Sequence, residues 1–176
     1  AGFAQATPTP AKTALAYEQF LLAHHLEDAE DVPGAIAAYK RAMEFDPSAA
    51  DIPAELAGLY LREDRVPEAT ATAVLALTIT ATNAEANRVL GIIFAARAES
   101  ARQGGPTPAG ARPDENTTKA IGYLELAIAN PTGEAVPQPP VAHMIQKLRS
   151  VASGRLAPEG RDVGKEGVAE KTGEIL

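Results

Sequence analysis

The sequence predicts an all-α solenoid of helix-turn-helix repeats closed by a C-terminal capping helix. Three observations predict it: residue columns recur when the chain is shifted by 34 positions, apolar residues within each segment follow helical spacing, and proline stands where paired helices begin. Leu22, Leu56 and Leu90 form one column, followed by Ala23, Ala57 and Gly91 and then by Leu26, Tyr60 and Phe94. A second set pairs Ala35 with Ala69 and Ala42 with Ala76, behind turns that read Val32-Pro33-Gly34-Ala35 and Val66-Pro67-Glu68-Ala69.

In chain order, residues 1–11 are a Pro/Thr-rich segment in which Ala4-Gln5-Ala6 has the small-x-small form of a signal-peptidase site. The expectation is an exported chain, periplasmic or extracellular, that begins with the remnant of its signal. The helical domain spans 12–152. Its first unit, about 16–49, places Leu15, Phe20, Leu22, Ala23 and Leu26 on one amphipathic helix and Ile36, Tyr39, Ala42, Met43 and Phe45 on the next. Pro33 and Pro67 suit the first turn of a helix, where a missing N–H costs nothing. The second unit, about 50–83, repeats the pattern. The third, about 84–132, opens with Leu90, Gly91 and Phe94, is interrupted by an insertion at about 101–115, and resumes at Lys119-Ala120-Ile121 with Leu124 and Ala127. The small residues let paired helices approach closely while a large residue one turn away fills the flanking groove. One pair cannot cover its own apolar surface, so neighbouring pairs and a terminal helix at about 141–152 must do so. Residues 153–176 form a Gly- and charge-rich tail ending in Ile175-Leu176.

Composition narrows the chemistry. The 176 residues include no cysteine and no tryptophan, which excludes disulfides, thiol nucleophiles and thiolate metal sites. With 16 Lys+Arg against 23 Asp+Glu the net charge is −7 and the basic residues are scattered, so no nucleic-acid partner is expected. No apolar run reaches a membrane span. His24 and His25 are adjacent, diverge by about 100° on a helix and cannot easily bind one metal side by side, so no metal site is assigned. Neither a phosphate loop nor a nucleophile or zincin motif occurs, so the chain reads as no enzyme, with no cofactor. The acidic run Glu27, Asp28, Glu30 and Asp31 reads as solvated surface, the alternative being an acidic patch that steers a basic partner or the basic part of a neighbour's tail. Asn116-Thr117-Thr118 fits the N-linked glycosylation acceptor pattern and is expected in the inserted connection.

These columns resemble the tetratricopeptide repeat family. Its pattern is matched by Leu22, Ala23, Leu26, Ala35, Tyr39, Ala42 and Pro47, and again by Leu56, Ala57, Tyr60, Ala69 and Ala76, with Ala73 and Ala81 departing from the aromatic and the proline. The resemblance implies a right-handed solenoid whose first helices line a concave, peptide-holding groove. The positions that correspond are Tyr17, Phe20, His24, Gly58, Arg62, Arg88 and Ile92. Aromatic residues at one end and arginines further along suit a peptide with an apolar anchor and a carboxylate. Phe20 and His24 stand where the family's chaperone-tail clamp carries Lys and Asn, so that ligand is not expected. The expectation is a non-catalytic scaffold for a peptide or protein partner. The alternative is a structural subunit that self-assembles head to tail into an extracellular filament through its two tails.

Overall fold

The computed structural model describes residues 8–103, 113–129 and 139–153, which form seven α-helices and no strand. They are α1 (Pro10–Asp28), α2 (Val32–Phe45), α3 (Asp51–Arg62), α4 (Val66–Ile79), α5 (Ala84–Gln103), α6 (Glu115–Ala129) and α7 (Pro139–Ala152). The Ala4-Gln5-Ala6 pattern, the centre of the insertion and nearly all of the C-terminal tail lie outside the described residues. No described helix is long and apolar enough to cross a membrane.

Helices pair as α1 with α2, α3 with α4 and α5 with α6, and α7 lies on α6. The turns that close the first two pairs are built alike. Glu30 and Asp64, one repeat apart, have φ of 58° and 57°, a left-handed residue that stops the preceding helix. The amide after each reaches back to close the end: Asp31 N–H donates to the Leu26 carbonyl and Arg65 N–H to the Tyr60 carbonyl, both at 2.9 Å. The next helix begins at once. Asp31 Oδ1 accepts from Gly34 N–H at 3.0 Å, and Pro33 occupies the first turn. Arg65 offers no cap, and its guanidinium instead lies 4.6 Å from the Tyr60 ring centroid and pairs with Glu68 at 2.7 Å.

At the crossings Ala23, Ala35, Ala42, Ala57, Ala69 and Ala76 are all fully buried. In the third unit Gly91 faces Leu124 of α6 so closely that a Cβ there would stand 2.5 Å from Leu124 Cδ2. Asn83 ties repeats together: its Oδ1 caps α5 by accepting from Ala86 N–H at 2.9 Å, while its Nδ2 donates to Asp51 Oδ1 of α3 at 2.7 Å.

The structure corrects the first helix. Leu56 and Leu90 are 2% and 1% exposed, but Leu22 is 38% exposed and Leu15 42%. The reason is position in the array: α3 and α5 each have the second helix of the preceding pair against them, and no described helix precedes α1. A second correction concerns Asn116, which lies half-buried in the first turn of α6 and not in the connection before it. Asp114 starts that helix, accepting from Thr117 N–H at 2.9 Å and from Thr117 Oγ1 at 2.7 Å.

Candidate functional site

Helix α3 is walled in by its neighbours, and Ile52, Pro53, Ala54, Leu56, Ala57, Leu59 and Tyr60 are buried on it. On the remaining stripe, one residue per turn, Asp51 and Arg62 are exposed and Glu55 is half-buried, with the buried Gly58 between Glu55 and Arg62. α1 contributes Tyr17, Phe20, His24 and Glu27 beside it, and α5 contributes Glu85, Arg88 and Ile92.

Side chains stitch these three helices into one face. Glu27 of α1 forms an ion pair with Arg62 of α3. Glu85 of α5 leans over Gly58, where a Cβ would stand 2.8 Å from its Oε1 and 3.5 Å from Arg62 Nη1. Arg88 then holds Glu85 with both arms of its guanidinium, Nε to Oε2 at 2.7 Å and Nη2 to Oε1 at 2.5 Å. The result is an alternating line of Glu27, Arg62, Glu85 and Arg88 drawn from three successive first helices.

The upper end of the face is aromatic. Phe20, His24 and the fully buried Tyr39 of α2 meet edge to face, with centroids 4.6 Å (Phe20–His24), 5.9 Å (Phe20–Tyr39) and 5.7 Å (His24–Tyr39) apart. The Tyr39 hydroxyl donates to Glu27 Oε1 at 2.5 Å, and a His24 ring nitrogen lies 3.4 Å from the same hydroxyl. Burial, reinforced by the hydrogen bond to the Glu27 carboxylate and by its charge, pushes the Tyr39 phenol far above its ordinary range. Tyr17 projects from the same end and is 62% exposed.

Of the sequence-predicted positions, His24 and Arg62 belong to the Glu27 cluster, Arg88 to the Glu85 pair, and Gly58 lies where the two approach. Phe20 packs into the Glu27 cluster, Tyr17 stands at its rim, and Ile92 lies half-buried on α5. The acidic run is corrected in part: Glu27 is a half-buried member of that cluster, whereas Asp28, Glu30 and Asp31 are exposed. Sequence reasoning passed over Glu55 and Glu85. The available signal was their place on the open stripe, since Glu55 precedes Arg62 by two turns and Glu85 precedes Arg88 by one. A shallow cleft of about 350 Å³ between α6 and α7, lined by Ile128, Ile145 and Arg149, contains none of the predicted site residues.

The seven-helix arrangement matches solved structures along nearly their whole length. The TPR2B domain of yeast Sti1, in a structure described as its complex with pHsp70, is 16% identical with a TM-score of 0.59 over 78% of this chain and 98% of that one. The fold is that of a tetratricopeptide repeat domain. The Sgt2 TPR domain from Aspergillus fumigatus is 19% identical with a TM-score of 0.57, covering 96% of this chain and 98% of that one. The first TPR domain of Spaghetti (RPAP3), bound to the HSP90 peptide SRMEEVD, is 15% identical with a TM-score of 0.57 over 79% of this chain and 94% of that one. No family model matches the chain, and no curated protein matches it. As a tetratricopeptide fold, the chain is an all-α solenoid, and α1, α3 and α5 are the first helices of its three pairs.

Glu55 is the odd group on the face that these three helices share. Among the described residues it makes no hydrogen bond or ion pair, although it is half-buried. Burial is the main cause that raises its carboxyl above the ordinary range, and the Glu85 carboxylate adds to it. The Glu27 carboxylate pushes the same way, while His24 and Arg62 pull it back. The folded chain thus holds this proton to a higher pH than the unfolded chain does. Glu55 therefore subtracts stability above the unfolded value, and that loss is relieved as pH falls through the folded one. Glu55→Gln is expected to melt higher than the parent at about pH 7 and level with it at about pH 4, the low end of the carboxylate range. Thermal unfolding at the two pH values checks this, and an unchanged difference between them would contradict it.

Proposed function

We propose that the chain is a non-catalytic interaction scaffold that holds an extended segment of a partner protein along the face made by α1, α3 and α5. The observation that carries this reading is a pair of ion pairs on adjoining first helices, Arg62 with Glu27 (itself bonded to Tyr39) and Arg88 with Glu85, flanking Gly58. Conformationally costly side chains are fixed in advance there, on a face that packing has left open. Rigid helices present them, and the one hydroxyl of the site that stands beside a base, that of Tyr39, is fully buried. Support also comes from fold-mates solved with a peptide or protein partner, the SRMEEVD-bound domain of Spaghetti and the pHsp70 complex of Sti1.

Peptides selected from a random library on the intact chain test the reading. Tyr17 and Arg62 are 62% and 53% exposed, so replacing them leaves the core intact. Tyr17→Ala and Arg62→Ala are each expected to weaken the selected peptides about tenfold or more, the effect of truncating an interface anchor. Unchanged affinity in both variants would place binding elsewhere.

A further inference from the structure

The inference here rests on the reading above and concerns what the bound segment presents at the middle of the face. Both arginines of this face are already engaged, Arg62 by Glu27 and Arg88 by both oxygens of Glu85. A carboxylate arriving from a partner would have to displace a carboxylate already in place, so neither arginine is a vacant anion site. The sum of the face is different. Two cations are cancelled by two carboxylates, and Glu55 is left over.

Three features make Glu55 a docking point. It is the half-buried residue of the α3 stripe that ends in the exposed Arg62, two turns further along. Gly58, the next residue of that stripe, is buried under Glu85 and adds no side chain of its own between Glu55 and Arg62. The charges around Glu55 are negative on balance, Glu85 of α5 outweighing His24 and Glu27 of α1 outweighing Arg62.

We propose that Glu55 anchors a single cationic side chain, lysine or arginine, of the bound segment. A lysine or arginine stem is long enough to cross the face beside Gly58 while its head reaches the carboxylate. The contact supplies the charge partner that the fold withholds from Glu55 and relieves the cost of keeping a bare carboxylate half-buried. A divalent metal is not the fit, since one free carboxylate beside neighbours held by arginines lacks the converging oxygens that calcium or magnesium require. The preference is opposite in sign to that of an acid-ended peptide such as SRMEEVD.

The test uses three pools of random octapeptides, identical except for a fixed central lysine, norleucine or glutamate, with binding measured by fluorescence anisotropy on the intact parent chain, Glu55→Gln and Glu63→Gln. The lysine pool is expected to bind the parent about tenfold more tightly than the norleucine pool, the worth of a charge-assisted hydrogen bond. That advantage should vanish in Glu55→Gln and persist in Glu63→Gln, whose site is exposed just past the end of α3. Equal binding of the lysine and norleucine pools, a preference for glutamate, or a lysine advantage that survives Glu55→Gln would overturn the inference and leave the groove reading standing. Failure of all three pools to bind would overturn both.

Discussion

Leu56→Ala and Leu90→Ala each lower the free energy of unfolding by about 2–5 kcal/mol, and Leu22→Ala, the same column one repeat earlier, costs under about 1 kcal/mol. The three residues share side chain and register, so the comparison isolates what lies against them. Leu56 and Leu90 are 2% and 1% exposed, sealed by the preceding helix pair, and truncation leaves a cavity that neighbouring helices cannot fill without shifting the stack. Leu22 is 38% exposed, and solvent fills the space its methyl groups leave. Urea titrations of the three variants measure the difference. Equal costs across the column would mean that the α1 end is covered in solution.

The two glycines of the first helices respond in opposite ways to alanine. At Gly91 a Cβ would stand 2.5 and 2.6 Å from Leu124 Cδ2 and Cγ and 3.2 Å from the Leu124 backbone nitrogen. Leu124 is fully buried, so neither its side chain nor its helix has room to retreat. Gly91→Ala is expected to cost about 1–3 kcal/mol, overpacking outweighing the gain of roughly 0.5–1 kcal/mol that alanine brings to a helix interior. At Gly58 the nearest obstacle is the Glu85 carboxylate, 2.8 Å from the same ideal Cβ, and it is the far end of a flexible side chain. Gly58→Ala should therefore melt no lower than the parent while displacing Glu85 from its seat beside Arg62 and weakening the selected peptides. Thermal unfolding of both variants, with peptide binding measured on the second, checks the pair. A Gly91→Ala protein as stable as Gly58→Ala would refute the tight crossing of α5 and α6.

The repeat was legible because a solenoid makes its contacts between neighbours in sequence. A column such as Ala23, Ala57 and Gly91 records the same crossing each time, and Pro33 and Pro67 record the same helix start. Register alone does not say where the array ends, and so Leu15 and Leu22 read as core although they are exposed. The start of α6 was hidden by a similar gap, since the cap at Asp114 resembles any loop aspartate until Thr117 is seen to close on it.

The site was legible by position and obscure in its chemistry. His24, Gly58, Arg62 and Arg88 came from the family resemblance, and they stand on the first helices of successive pairs. Their pairing does not follow from it, because the Glu27–Arg62 contact spans 35 residues and depends on how successive repeats are inclined. Glu27 therefore looked like one more solvated acid in a run. Glu55 was overlooked because a glutamate on a helix is unremarkable until both arginines of the face prove to be taken.

The claim that this face holds an extended segment is tested most directly by titrating the isotope-labelled chain with one library-selected peptide and following its backbone and side-chain resonances. The account predicts that the largest shifts fall together on α1, α3 and α5, at Tyr17, His24, Glu55, Gly58, Arg62 and Arg88. Shifts confined to the outer surface of α4 around Val74 and Leu75, which are 46% and 42% exposed, or to the α6–α7 cleft, would contradict it.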